Sequence, residues 1–364
     1  MTISDTGRWG NSESEWEGVK VIESPDLFMG RMRSGWDLWC AVNRMFFLRN
    51  QTHRFDIVHA LETRPATILP TRYISRKMNI PWVTDWIDWW GRGGLITEQR
   101  PGWYQLLFGG IETYFEEHYR DKADGLTVIS RALAERAERL GVEPGSVTWI
   151  PGGASPEIFP EIDKKTARER IGLPVKGDLL LFAGIDVLFD LNMVLESLQL
   201  IRRERPQARL IVTGASPETV SDLVITAGLD PGAVIVTGRL PRAAYHEHLL
   251  ACDLCLLPFS DTPSNNGRWP NKVGDYMAAG RPVISNPVGE MERLLKDEEA
   301  GLLVPPTAAG FAEGCLALLD DDVAARKKGE KARILAEERL AWPKVIERLE
   351  RFYEETLVRF KAGL

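Results

Sequence analysis

Short runs of Val, Ile and Leu recur along this chain, most closed by glycine, proline, asparagine or serine and followed by a stretch of helical periodicity. A run that is apolar at nearly every position has no polar face to offer water, so it belongs in a parallel sheet covered by helices on both sides. VKVIES, FDIVHAL, IPWVTDW, GLTVIS and SVTWIP supply a first group. Between the last two, Ser130 is placed to cap a helix whose face carries Leu133, Ala137 and Leu140, with Gly141 as its stop. After Pro151 the Gly/Pro-rich GGASPEIFPEID reads as a linker. A second group follows: DLLLFAG, ARLIVTG, AVIVTG, LCLLPF, PVISN and GLLVPP, with helices starting near Asp190, Ser216, Pro241, Pro270, Val288 and Thr307. Ser216-Pro217 pairs a capping hydroxyl with proline at the first helical position. From Trp342 one amphipathic helical pattern runs to the end. At about 150 residues per domain, 364 residues hold two such groups. The fold expected is α/β, two Rossmann-like domains at 1–155 and 156–341, with a closing helix at 342–364.

Charge and cysteine content narrow the partners. A formal charge of -7 leaves no strongly positive field for nucleic acid. The four cysteines (Cys40, Cys252, Cys255, Cys315) are too few for a disulfide framework and favour a reducing compartment. Cys252 and Cys255 form a C-x-x-C without a second cysteine pair, and read as buried thiols. The opening MTISDTGRWGNSESEWEG lacks the basic and apolar regions of a secretion signal, and no apolar run reaches the roughly 18 to 20 residues that span a bilayer. A cytoplasmic address is expected. Tryptophan is the outlier, because nine of 12 lie at or before Trp103.

In an open parallel sheet ligands bind beyond the carboxyl ends of the strands, which directs attention to the strand-end loops. G-x-G-x-x-G after the first strands, H-E-x-x-H, G-x-S-x-G and G-x-x-x-x-G-K-[ST] are all absent. The segment 258–290, PFSDTPSNNGRWPNKVGDYMAAGRPVISNPVGE, leaves a strand, turns, and starts a helix near Pro270. Free N–H groups at that start, with Lys272 in the first turn, make an anion site. Asp275, three residues on, shares the face of Lys272. A cation for phosphate and a carboxylate for two vicinal hydroxyls match a nucleotide's diphosphate and ribose; the alternative is a surface Lys–Asp pair.

PNKVGDYMAAGRPVIS resembles the signature segment of retaining GT-B glycosyltransferases of family four, in the variant P-x-K-x-x-E-Y-M-A-x-G-x-P-V-V. WIPGGASPEIF is similar to the interdomain I-P-N-G-V-D-x-x-x-F, LIVTGASPE to L-x-I-V-G-x-G-P-E, and VTGRLPRAAYHEHLLACDLCLLPF to the family's V-x-F-x-G-x-V run, in which Gly238 holds the glycine place and is expected to bind the donor. FDIVHA and ADGLTVIS resemble two strands of the family's first domain, and the helix from Trp342 its crossing-back C-terminal helix. The resemblance implies a GT-B fold with domains facing across a cleft, and transfer of a sugar from a nucleotide diphosphate donor to an acceptor hydroxyl with retention, without an essential metal. It places the donor mainly in the second domain and the acceptor in the first. Asp275 stands where the family has the second glutamate of E-x7-E, the ribose ligand. Three departures stand out. The first glutamate's place is taken by Gly267, leaving Asn265, Asn266 and backbone amides as candidates. The Arg and Lys of G-R-x-x-x-x-K are replaced by Ile185 and Asp190, so Arg268 and Lys272 are expected to take the diphosphate. VKVIES, reached after fewer than twenty residues, looks like the third strand, so the first domain is expected to lack its first strands.

In IPWVTDWIDWWGRGG, Asp85 and Asp88 fall where a strand ends. Asp88 is a candidate to orient the acceptor hydroxyl, with Trp86, Trp89 and Arg92 as acceptor contacts and Gly93-Gly94 shaping the loop; the alternative is a helix-capping Asp. His59 in FDIVHA is a candidate proton or sugar contact, or a satisfied structural histidine. His246 and His248 read as surface residues, and Asp320-Asp321-Asp322 as a helix junction. Trp82, Trp86, Trp89 and Trp90 either stack on sugars or build a core. RMRSGWDLWCAVNRMFFLRN, mixing Arg31, Arg33, Arg44 and Arg49 with aromatics, and PGWYQLLFGG suit an interfacial helix on a membrane or a helix packed on a sheet. The expected activity is glycosyl transfer in glycan or glycolipid synthesis, onto a glycan, a lipid-linked or a small-molecule acceptor, with the nucleotide sugar as substrate and no cofactor or metal. Asp88, His59 and Lys272 are the expected catalytic groups. A non-catalytic sugar-nucleotide or glycan binding protein and a sugar-nucleotide epimerase remain as alternatives.

Overall fold

The structure, a computed structural model, describes residues 2–4, 10–25, 35–184 and 188–363. Arg31, Arg33 and Ile185, singled out above, lie outside the described residues. The chain divides into two compact units, Met1–Ile150 with Arg348–Leu364, and Pro151–Glu347. The closing helix Trp342–Ala362 therefore begins in the second unit and ends in the first.

In the first unit, β1 (Thr2–Ser4), β2 (Ser12–Trp16) and β3 (Val19–Pro25) form a small sheet in the order β1-β3-β2. This corrects the reading of VKVIES as a strand of an all-parallel sheet buried on both faces: β3 runs parallel to β1 but antiparallel to β2, and its first two residues are exposed. β3 pairs antiparallel with β2 through the turn Glu17-Gly18, whose φ angles of 50° and 81° are both left-handed. That is the two-residue turn that matches strand twist in a tight hairpin. Lys20 meets Glu13 across the hairpin at 2.7 Å, and Val19 lies exposed. The main sheet is parallel: β4 (Val58–Leu61), β5 (Trp82–Trp86), β6 (Gly125–Val128) and β7 (Val147–Trp149), in that order. Ser130 caps the helix Arg131–Arg139, and Gly141 follows it with φ 88°.

The second unit holds β8 (Leu179–Ala183), β9 (Arg209–Thr213), β10 (Val234–Gly238), β11 (Leu254–Leu257), β12 (Val283–Ser285) and β13 (Gly301–Leu303). All are parallel, in the order β10-β9-β8-β11-β12-β13. Counted from the unit's first strand this is 3-2-1-4-5-6, the doubly wound dinucleotide-binding order. Leu180, Phe182, Leu191, Leu195, Leu210, Val212 and Phe311 pack one core beside it. Cys252 and Cys255 are buried free thiols, sulfurs 3.6 Å apart.

The expected linker is packed rather than loose. The Ala154 N–H donates to the Leu340 carbonyl at 2.7 Å, and Trp342 returns a bond to Ala154 at 3.1 Å. A Cβ on Gly152 would collide with the Trp269 ring, and one on Gly153 with the Trp342 ring. Those glycines make room for two aromatic rings.

Candidate functional site

In the second unit the strand order reverses between β8 and β11, where a doubly wound sheet leaves a crevice at its carboxyl ends. The helix Lys272–Ala278 is tied to that end of β8 at two points one turn apart. Lys272 Nζ donates to the Ala183 carbonyl, and the Ala183 N–H donates to the Tyr276 hydroxyl at 3.2 Å. Lys272 sits over the Phe182 ring at 5.5 Å and Arg268 over Phe259 at 4.9 Å. The charges of both cations act on Asp190, buried in the first turn of the helix Leu188–Glu204. Burial pushes the Asp190 carboxyl up to about 6, against the pull of Arg268, Lys272 and the Ser260 hydroxyl. Burial, then Arg268, pushes the Lys272 ammonium down to about 8, against the pull of Asp190. The structure thus brings together Arg268, Lys272 and Asp190 at the switch point, with Asp190 standing as an anion among the cations.

Asp275 follows one turn after Lys272, half-buried, and its carboxylate makes no hydrogen bond among the described residues. Burial raises its carboxyl and Arg242 opposes the rise. The helix start offers less to an anion than the sequence suggests. It has only 7 residues, and its first amides are taken: Val273 N–H by the Pro270 carbonyl at 2.9 Å and Gly274 N–H by Asn271 at 3.2 Å. Charge at this site falls to the side chains.

The asparagines proposed for the absent glutamate are occupied. Asn266 Nδ2 donates to Asp261 at 2.8 Å and the Thr262 carbonyl at 2.9 Å, while its Oδ1 accepts from the Gly289 N–H at 3.0 Å. Asn265 Nδ2 donates to the Ser260 carbonyl at 2.7 Å, so both hold the loop. Gly267 is buried at the end of the short helix Pro263–Gly267. Gly238, with φ 65°, ends β10, two strands from β8 in the sheet, and accepts from the Gly214 N–H at 2.8 Å.

At the carboxyl ends of β4 and β5 in the first unit, Asp85, Asp88, Arg64, Arg120 and Trp36 line a hollow of about 30 Å³, room for a water or two rather than a sugar ring. Asp88 caps no helix: the next helix starts at Leu95 with Gly94 as its cap. Trp86 is corrected as an acceptor contact, being 1% exposed. Its indole N–H donates to Glu116 at 3.0 Å, and Arg120 and Arg136 lie 4.6 and 5.3 Å from its ring. Trp89 donates to the Arg92 carbonyl at 2.9 Å and meets Arg136 at 4.2 Å, while the Arg92 side chain is exposed beside Gly110 and Tyr114. Sequence reasoning missed Glu116. Its buried carboxylate also accepts the N–H groups of Trp90, at 2.9 Å, and of Gly91, and so shapes the loop that carries Asp88.

His59 has both ring nitrogens engaged inside the first unit, the arrangement of a satisfied structural histidine. Nδ1 lies 2.7 Å from the Tyr353 hydroxyl and Nε2 3.3 Å from Thr127 Oγ1. Thr127 gives its proton to Asp85 at 2.6 Å, so His59 donates through Nε2 and accepts from Tyr353. Burial lowers the His59 pKa and Asp85 opposes the fall, which favours the neutral ring.

Residues 178–321 match the family model described as glycosyl transferases group 1, and residues 2–153 the model of a glycosyl transferase 4-like domain. Each part of the chain thus matches a glycosyl transferase family model, the 4-like domain in the first and group 1 in the second. A D-inositol 3-phosphate glycosyltransferase of Stackebrandtia nassauensis is 30% identical over 204 residues, covering 52% of this chain and 44% of that one. The chain spans about half the length of the curated relatives it matches. Among solved structures, sucrose-phosphate synthase from Thermosynechococcus elongatus superposes with a TM-score of 0.73 at 19% identity, over 98% of this chain and 88% of that one. Anabaena HepE in complex with UDP-glucose superposes with 0.64 at 14% identity, over 87% and 81%. These likenesses give the fold, GT-B.

Proposed function

We propose that the chain transfers a sugar from a nucleotide diphosphate sugar to an acceptor hydroxyl with retention, on a glycan, a lipid-linked or a small-molecule acceptor, and that it works in peripheral contact with a membrane. The observation that carries the donor site is the pair on one helical turn: Lys272 reaching the carboxyl end of β8, and Asp275 half-buried and unpaired among the described residues. In this reading Lys272 and Arg268 meet the diphosphate and neutralise the charge that develops as the sugar–phosphate bond breaks. Asp275 accepts two ribose hydroxyls. Asp88, on the loop held by Glu116, orients the acceptor hydroxyl. D-inositol 3-phosphate, after which one relative is named, and UDP-glucose, bound to another, are the first substrates to try.

The engaged asparagines and the anionic Asp190 favour a second reading, binding of a sugar nucleotide without turnover. Incubation with radiolabelled nucleotide sugars, with and without extracted glycolipid and inositol phosphate, separates them. Label transferred to acceptor supports the proposal; donor bound but unchanged supports the second reading; and epimerised donor overturns both.

A further inference from the structure

The helix Gly102–Glu117 is amphipathic in the wrong sense for a surface helix. Its buried positions are Glu112, Thr113 and Glu116, while Trp103, Leu106, Leu107, Phe108, Ile111 and Tyr114 are exposed, Leu106 to 85%. A helix on a globular protein ordinarily turns its charges outward and its apolar stripe to the core. The inversion has a structural cause. Glu112 accepts the Tyr104 hydroxyl, and Glu116 holds Trp86, Trp90 and Gly91, so both carboxylates are bound inward. An apolar face of this size marks a surface for something else.

Two features select the occupant. The exposed side chains offer almost no hydrogen bonding, since only Trp103 and Tyr114 carry a polar atom, whereas protein interfaces need about one hydrogen bond per 100–200 Å². Acyl chains need none. The charge around the face is also one-sided. Glu117 is paired with Arg136, Asp121 with Lys122, and Glu98 is engaged as well. Arg100, over the Tyr104 ring at 5.4 Å, and Arg92, beside Gly110 and Tyr114, are exposed and make no ion pair among the described residues. Cations beside an aromatic and aliphatic face are the composition of an interfacial helix on anionic lipid.

We propose that the outer face of the helix Gly102–Glu117 is a membrane-docking surface that lies in the headgroup–acyl boundary of an anionic bilayer, with Arg92 and Arg100 at the phosphates. This names the place of the membrane contact in the functional reading above, and it is tested without donor or acceptor, so its failure leaves the transfer reading intact. The test is co-sedimentation of the full chain with vesicles of phosphatidylcholine containing 30% phosphatidylglycerol, and with pure phosphatidylcholine. The expected result is binding to the mixed vesicles, weakened by salt, and weakened at least tenfold in the double variant Leu106→Glu, Ile111→Glu. Both changes lie on exposed positions, and an unchanged melting temperature reports an intact fold. Phe46→Glu, exposed on the helix Leu38–Arg49, leaves binding as it was. A chain that stays in the supernatant with both vesicles, or a double variant that binds like the parent, overturns the proposal. So does a lipid-free dimer, seen by light scattering, that the double variant abolishes, since the face would then meet a second copy.

Discussion

The Asp190 carboxyl sits among the cations expected to receive the donor, and replacing it tests the electrostatics of the site directly. Lifting a carboxyl from its ordinary 3.8 to about 6 corresponds to on the order of 3 kcal/mol of disfavoured charge, taken as an upper bound. The sign follows from linkage: a raised carboxyl gives its full contribution below its ordinary pKa and loses it as pH rises through about 6. Asp190→Asn, which stays neutral, is therefore expected to be more stable than the parent at pH 7.5 by up to on the order of 3 kcal/mol, and equal to it below about pH 4. Donor binding follows the same logic. A bound diphosphate raises Asp190 further, so the parent takes up a proton on binding and its affinity falls as pH rises above 6, by up to about tenfold per pH unit. The Asn variant is expected to bind more tightly at pH 7.5 and to show no such limb. Both proteins keep a second fall where Lys272 loses its charge, near 8 in the parent and at lower pH in the variant, which lacks the pull of Asp190. Calorimetric titration with UDP-glucose from pH 5.5 to 8.5, in two buffers of different ionisation heat, reads affinity and proton uptake together. Weaker binding by Asp190→Asn at pH 7.5, or parallel pH curves for the two proteins, would refute the reasoning and make the carboxylate a ligand rather than an obstacle.

Lys272→Met keeps the apolar stem on Phe182 but removes the charge, so kcat is expected to fall by about 10²–10³ with little loss of stability; turnover near the parent rate would remove Lys272 from the diphosphate site. Arg268→Ala is expected to weaken donor binding at the same point, measured by the same titration. Gly91→Ala places a methyl where the Glu116 carboxylate lies, at a cost of about 1–3 kcal/mol, read as a drop in melting temperature of roughly 2–4 °C per kcal/mol, with UDP-glucose binding unchanged. Trp86→Phe strips one donor from a buried carboxylate and is expected to cost about 1–3 kcal/mol; an unchanged melting temperature would contradict the role given to Glu116.

How far the sequence could be read follows from what each feature depends on. The strands of the second unit were legible because runs such as LLLFA and LIVT are buried on both faces and have one fitting architecture. Lys272 and Asp275 were legible because their spacing alone puts them on one turn. VKVIES misled, because its tight turn uses Glu17-Gly18 in place of the usual Asn-Gly. GGAS misled because glycine gives the same signal whether it loosens a chain or clears space for a ring, and here the rings of Trp269 and Trp342 lie far along the sequence. Trp86 and His59 depended on partners 30 and 294 residues away, Glu116 and Tyr353, which no local pattern announces.

The tryptophan excess of the first unit has a shared physical cause with the proposed membrane surface. Trp86, Trp89, Trp90 and Trp149 each lie against an arginine, so these rings are fixed by cation–π contacts. Around Trp86, Arg120 and Arg136 bring two buried positive charges, and burial holds Arg120 down to about 10 despite the pull of Glu116. Buried cations need a buried anion, and Glu116 supplies it from the helix Gly102–Glu117. Turning that carboxylate inward spends the helix's charged positions on the loop of Asp88 and leaves its other side apolar. In the proposed reading, the helix that shapes the Asp88 loop is also the one that meets the bilayer, which would put Asp88 next to the surface from which a lipid-linked acceptor arrives.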